Sequence, residues 1–166
     1  MEFQIREMKE TDWEQVCKIY KQGMDSNLAT FQIDVPTYGE WDIGHLKICR
    51  FVAVKNDDVI GWAALLPTSS RKAYEGVVEL SLYIDENNRR CGVGSCLMKH
   101  IFQETEKNGI WTIQSLIMQN NEPSINMHIK NGFREVGYRY KIAQDKFGNW
   151  RNTVIYERRS KNPIFD

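Results

Sequence analysis

Val78, Leu80, Leu82 and Ile84 alternate with Val77, Glu79, Ser81 and Tyr83. That period of two predicts a strand over Val77 to Asp85 with one apolar face and one mixed face. The same reading along the chain predicts strands at Phe3 to Arg6, Phe51 to Lys55, Val59 to Leu66, Ile110 to Met118, Arg134 to Gln144 and Trp150 to Glu157. Asn56-Asp57-Asp58 reads as the turn of a hairpin, and Asp145 to Asn149 as the turn between the last two strands. Helical spacing appears four times. Thr11-Asp12-Trp13-Glu14 is a capping box before Trp13, Val16, Ile19 and Tyr20, and Thr37-Tyr38-Gly39-Glu40 is a second, before Trp41, His45 and Ile48. Val93, Leu97, Ile101 and Phe102 mark a third helix, beginning near Gly94 and ending at Asn108-Gly109. A short fourth helix follows Asn120-Asn121-Glu122-Pro123 and stops at Asn131-Gly132.

The order is strand, two helices, three strands, helix, strand, helix, two strands. It predicts one α/β domain over residues 1–166, with a mixed, mostly antiparallel sheet of about seven strands flanked by helices. The loop from Gly23 to Pro36 is long enough to expect that it shapes a pocket. Lys+Arg and Asp+Glu are equal at 22 each, so no global field draws the chain to nucleic acid or to a membrane surface. A small-molecule or protein partner is expected instead. The first twenty residues mix both charges and contain no apolar run, so a secretory leader is not expected and the cytoplasm is. Cys17, Cys49, Cys91 and Cys96 form no CxxC pair and read as reduced thiols. His45, His100 and His128 lie far apart and form no metal signature, so no metal is expected.

The segment with the clearest chemistry is Arg89-Arg90-Cys91-Gly92-Val93-Gly94, which joins the central strand to the third helix. Glycines let main chain approach an anion closely, and the amides and dipole at a helix N-terminus then point at it. A phosphate ligand follows. No GxxxxGK[ST] occurs, and Gly92-Val93-Gly94 is followed by Leu97 where a dinucleotide fingerprint needs a third glycine. Taken alone, the loop also fits an ordinary strand-to-helix turn with exposed arginines.

Arg89-x-x-Gly92-x-Gly94 resembles the pyrophosphate loop of the GNAT superfamily of acetyl-CoA-dependent N-acetyltransferases, and the element order resembles that fold over nearly the whole chain. Further segments resemble the phosphinothricin acetyltransferase subfamily: Arg71-x-Ala73-Tyr74, Val78-Glu79-x-x-x-Tyr83, Asn121-x-Pro123-Ser124, Met127-His128 with Gly132, and Lys146-x-Gly148-Asn149-Trp150. Thr30-Phe31, Pro36-Thr37 and Trp41 are similar to that group's N-terminal segment. The resemblance implies acetyl-CoA as acetyl donor. It implies main-chain contacts to the pantetheine arm at Leu82, Tyr83 and Ile84, and to the pyrophosphate from Arg89 through Arg90, Cys91, Gly92, Val93, Gly94 and Ser95, with Asn121 on the other side. It also implies a bulge in the central strand that frees an N–H for the thioester oxygen.

Transfer of acetyl to an amine needs a base, because amines arrive largely protonated at neutral pH. Glu79 is the candidate. Alternation alone leaves open a carboxylate that faces solvent or pairs with a lysine; the resemblance implies the base. His128 stands where many superfamily members carry an acidic tyrosine, and reads either as proton donor to the departing thiolate or as a packed, hydrogen-bonded histidine. Arg71 and Tyr74 precede the central strand, and a guanidinium there suits a carboxylate, phosphinate or sulfone. Phe31, Lys146 and Trp150 read as further pocket residues or as core aromatic, solvated lysine and strand aromatic. The expected activity is direct acetyl transfer to the primary amine of an amino acid or analogue, in a homodimer. Another amine, a protein N-terminus, or non-catalytic acyl-CoA sensing are the alternatives.

Overall fold

The computed structural model describes residues 2–166. Its strands are β1 (Gln4–Glu7), β2 (Phe51–Lys55), β3 (Asp58–Pro67), β4 (Val77–Ile84), β5 (Thr112–Met118), β6 (Arg134–Gln144) and β7 (Trp150–Arg159). The helices are α1 (Trp13–Asp25), α2 (Tyr38–Gly44), α3 (Val93–Lys107) and α4 (Glu122–Lys130). All seven strands form one sheet in the order β1-β2-β3-β4-β5-β7-β6. Every neighbouring pair is antiparallel except β4 with β5. The expected mixed α/β architecture is therefore present. No described helix is long and apolar enough to cross a membrane.

Each face of the sheet carries its own core. Val78 and Leu80 of β4 pack with Val93, Leu97, Met98 and Ile101 of α3 on one face. On the other, Val16, Ile19 and Tyr20 of α1 and Trp41 of α2 meet Val52 and Trp62, with Tyr83 against them. The period of two in β4 and the helical spacing in α1 and α3 are what deliver those side chains to opposite layers.

Element ends differ from the sequence reading by a few residues, and three of the differences have a visible cause. α2 ends at Gly44, and His45 adopts extended backbone instead of continuing towards Ile48. Arg50 explains the stop: its guanidinium donates to the Asp42 and His45 carbonyls at 3.0 Å and to the Leu46 carbonyl, satisfying acceptors that a longer helix would have used itself. The β2–β3 turn has only two central residues, Asn56 (φ 50°) and Asp57 (φ 69°), so Asp58 already belongs to β3. β5 starts at Thr112, because the Trp111 and Thr112 N–H groups both donate to the Gly76 carbonyl before regular pairing begins.

Candidate active site

β4 and β5 are paired only over Val77–Thr112, Val78–Ile113 and Glu79–Gln114. Beyond Glu79 they diverge, while β4 stays zipped to β3 as far as Gly61–Ile84 and β5 stays zipped to β7. The wedge so opened is a cleft of about 910 Å³. Two hydrogen bonds fix which main-chain groups face it. Asp85 N–H donates to the Ile60 carbonyl of β3, and the Gly76 carbonyl accepts from the β5 side. Antiparallel pairing alternates, so odd-numbered residues of β4 turn their polar groups to β3 and even-numbered ones turn theirs to the β5 side. The N–H and C=O groups of Leu80, Leu82 and Ile84 thus face the cleft, where β5 no longer pairs them. Those of Tyr83 belong to β3, and Tyr83 lines the cleft with its side chain.

The bulge implied for β4 is absent: its register against β3 is unbroken, and the register shift lies in the β2–β3 pair. Strand divergence, not a bulge, frees the donors.

At the far end of the cleft Arg90 (φ 62°) and Gly92 (φ 82°) both take left-handed backbone before α3 begins. Gln22 of α1 clamps the approach, donating to the Asp85 carboxylate at 2.9 Å and accepting from Glu86 N–H at 3.0 Å. No side chain caps the N-terminus of α3. Its first N–H groups therefore remain donors for an anion, with Arg89 and Arg90 beside them. The two glycines serve different ends. Gly92 is needed for its positive φ. At Gly94 a Cβ would stand 2.3 Å from Met127 Sδ, so that glycine lets α4 close on α3. Arg89, Arg90, Gly92, Val93, Gly94 and Ser95 line the cleft. Cys91 is exposed, and its thiol turns back to the Arg89 carbonyl at 3.4 Å.

Glu79 sits at the mouth of the wedge on the mixed face of β4. Among the described residues its carboxylate has no hydrogen bond and no ion pair, so the lysine-paired reading left open by alternation is not what the structure shows. Burial raises its pKa above 4.5, with the charge of Arg139 working in the opposite direction.

His128 is buried, at 4% exposure, and both ring nitrogens are engaged. Nδ1 lies 2.7 Å from the Ser124 carbonyl, which can only accept, so Nδ1 carries the hydrogen. Nε2 lies 2.9 Å from Ser115 Oγ. Burial depresses the imidazole pKa, and in the neutral ring Nε2 accepts the Ser115 hydroxyl proton.

Asn121 lines the cleft as a strut. Its Oδ1 caps α4 through Ser124 N–H at 3.3 Å, and its Nδ2 donates to the Leu28 carbonyl at 3.1 Å. That bond ties the α1–α2 loop across the cleft. The loop is held further by Tyr20 hydroxyl on Gln32, by Thr30 beside Tyr83, and by Asn27 on Asp145 at 3.0 Å. Asp145 is itself a hub, also accepting from Arg151 and from the Phe147 and Asn149 N–H groups. Phe31 lines the cleft from this loop. Arg71, Tyr74, Lys146 and Trp150 are exposed and are not among the cleft's lining residues. Lys146 donates to the Asp25 carbonyl at the end of α1, at 3.2 Å.

Among the cleft residues that escaped the sequence reading are Ser115 and Arg139. Ser115 looked like any small residue in a strand, and only contact with His128 distinguishes it. Arg139 lies at an irregularity of β6 that alternation does not reveal.

Comparison with known proteins bears on what this cleft accepts. Residues 12–133 match the model of the acetyltransferase (GNAT) family. The chain is similar to a phosphinothricin N-acetyltransferase of Streptomyces viridochromogenes, at 28% identity covering 93% of this chain and 86% of the relative. It is also similar to an L-methionine sulfoximine/L-methionine sulfone acetyltransferase of Pseudomonas paraeruginosa, at 24% identity covering 95% and 94%. In fold it resembles the crystal structure of a phosphinothricin acetyltransferase from Sinorhizobium meliloti in complex with acetyl-CoA, with TM-score 0.85, 23% identity, and coverage of 96% and 89%.

Proposed function

Because the chain belongs to the acetyltransferase (GNAT) family, we propose that it transfers acetyl from acetyl-CoA directly to the primary amine of a small amino acid or analogue. The names of relatives that act on phosphinothricin, methionine sulfoximine and methionine sulfone support that class. One observation carries the reading: an unpaired, half-buried carboxylate, Glu79, opens into the same cleft as the uncapped N-terminus of a fifteen-residue helix.

The residues present fit acetyl-CoA, which supplies the activated acyl group. Val93, Gly94 and Ser95 amides with Arg89 and Arg90 would hold the diphosphate. Leu82 and Ile84 offer main-chain donors and acceptors to the amides of the pantetheine arm, and the same alternation leaves the Leu80 N–H at the Glu79 end for a developing oxyanion. Asn121 would lie on the other side of the cofactor, its side chain bonded to Leu28 and Ser124.

Glu79 takes the proton that the acceptor amine must lose. A carboxylate whose proton affinity is raised by burial does this better than a solvated one. In the neutral ring described above, His128 carries no proton on Nε2, so it acts by holding Ser115. Phe31 contributes an apolar wall. The edge strand β6 and the turn after it expose Val136, Tyr138, Tyr140, Phe147 and Trp150, which favours a homodimer through that face.

The test is a thiol-release assay with acetyl-CoA across free amino acids, their sulfone, sulfoximine and phosphinate analogues, and polyamines. Release with the amino-acid group upholds the proposal. Tight acetyl-CoA binding with no release for any amine would establish a sensor instead.

A further inference from the structure

We infer that Arg139 is the anion anchor of the acceptor site, gripping the carboxylate of an amino-acid acceptor while its amine is presented to Glu79. This rests on the proposed acetyl transfer and names the residue that selects its substrate.

Three arginines line the cleft. Arg89 and Arg90 belong to the loop before α3. Arg139, on β6, is the third, and its charge is felt at Glu79. Arg6, Arg50, Arg134 and Arg151 close on the carboxylates of Asp12, Asp42, Glu157 and Asp145, whereas Arg89 near Asp85 and Arg158 near Glu106 do not. Arg139 does not close on Glu79. Among the described residues its guanidinium forms no hydrogen bond or ion pair, and Glu79 forms none either. A cation and a carboxylate that sense one another across a cleft without touching leave a place for a molecule that bears the opposite pair of charges. An α-amino acid is such a molecule.

Local backbone geometry supports the aim of Arg139. It pairs with Thr153, and the next regular pair is Ala143 with Arg151, so Tyr140, Lys141 and Ile142 stand opposite Asn152 alone. Lys141 takes φ 47°, and its N–H is held by Asn152 Oδ1 at 2.7 Å. The excess is two residues, so side-chain parity is preserved and Arg139, Ala143 and Thr153 all line the cleft. A bulge of this kind bends a strand and redirects its side chains towards a site. A guanidinium's planar fork matches carboxylate, and also phosphinate or sulfone oxygens, bidentately.

The experiment compares L-methionine sulfone with its decarboxylated match, 3-(methylsulfonyl)propylamine, on the wild-type chain, R139Q and R139K. Binding is read by calorimetry on protein saturated with CoA, and turnover by CoA release. In R139Q the affinity and KM for the amino acid weaken about 10- to 100-fold, the size of one charge-assisted pair. The values for the decarboxylated amine and for CoA stay within about twofold, and R139K lies between. Equal loss for both acceptors, no loss for either, or wild-type protein that binds neither overturns the assignment. Wild-type protein that binds both with this preference and turns over neither leaves Arg139 as the anchor and removes the acetyl-transfer reading.

Discussion

The two walls of the β4–β5 wedge each hold a titratable group, and the fold treats them in opposite ways. Glu79 stands on the wall facing α1 and α2, half-buried, without a bonded partner. His128 stands behind the β5 wall, deeply buried, with Ser124 on one nitrogen and Ser115 on the other. Burial shifts both, raising the carboxyl pKa and lowering that of the imidazole, so each is pushed towards its neutral form. Only the first has its proton-binding atoms turned to an open cleft. A satisfied polar group is a brace, whereas an unsatisfied one in a cavity is available for chemistry.

The largest expected effect follows from that contrast. Glu79→Gln keeps shape and volume while removing the base, and kcat/KM at neutral pH falls about 10²- to 10⁴-fold. Acetyl-CoA affinity by calorimetry stays unchanged, because Glu79 is remote from the α3 N-terminus along β4. In the wild-type chain, kcat/KM falls with acid on a limb whose midpoint lies above 4.5, where an ordinary glutamate would titrate. A variant within tenfold of wild type, or an acid limb at or below 4.5, breaks the comparison.

His128→Ala is the matching test on the other wall. It empties a site packed against Phe133 at 4.8 Å between ring centroids and strips the Ser115 hydroxyl of its acceptor. Urea denaturation then shows about 2–4 kcal/mol lost, while turnover per folded molecule falls less than for Glu79→Gln. Ser115→Ala leaves the same ring in place but orphans Nε2, costing about 1–3 kcal/mol. If either change lowers kcat as far as Glu79→Gln does, the buried pair is chemical machinery and not a brace.

The sequence made one side of this contrast visible and hid the other for a physical reason. Alternation along β4 placed Glu79 opposite the leucines, and the glycines marked the turn into α3, whose N-terminus has no side-chain cap. Side-chain period put the four helices and seven strands in order; of the two capping boxes read from the sequence, Thr37 with Glu40 forms, whereas α1 begins without a side-chain cap and Asp12 pairs with Arg6. Divergence of β4 from β5 left no mark, because Leu80, Leu82 and Ile84 read the same whether their amides are paired or free. Ser115 became informative only through a partner thirteen positions away, and Arg139 only through two extra residues in β6. Where side-chain period or local turn chemistry decides a feature, one sequence suffices. Where long-range pairing decides it, the residues are silent. Arg71 and Tyr74 show the same limit from the other direction: their position before β4 pointed to the pocket, and in this chain both are exposed and do not line the cleft.

The smallest effect is the most discriminating. A carboxyl whose pKa is higher in the folded chain than in the unfolded one makes the native state bind more protons between those two values. Stability then falls as pH rises through that interval, and the full cost of the buried charge persists above it. Glu79→Gln has no charge to bury, so at pH 8 it melts above the wild type. Below the unfolded carboxyl value, near pH 4, the two melting temperatures converge, because the wild-type side chain is then neutral as well. The two proteins differ at residue 79 alone, so the pH-dependent part of the difference reports the Glu79 charge and the groups that feel it. A gap that is constant with pH, or a variant that melts lower at pH 8, would mean that Arg139 already satisfies the carboxylate. The acceptor would then have to displace that pairing before the base became available.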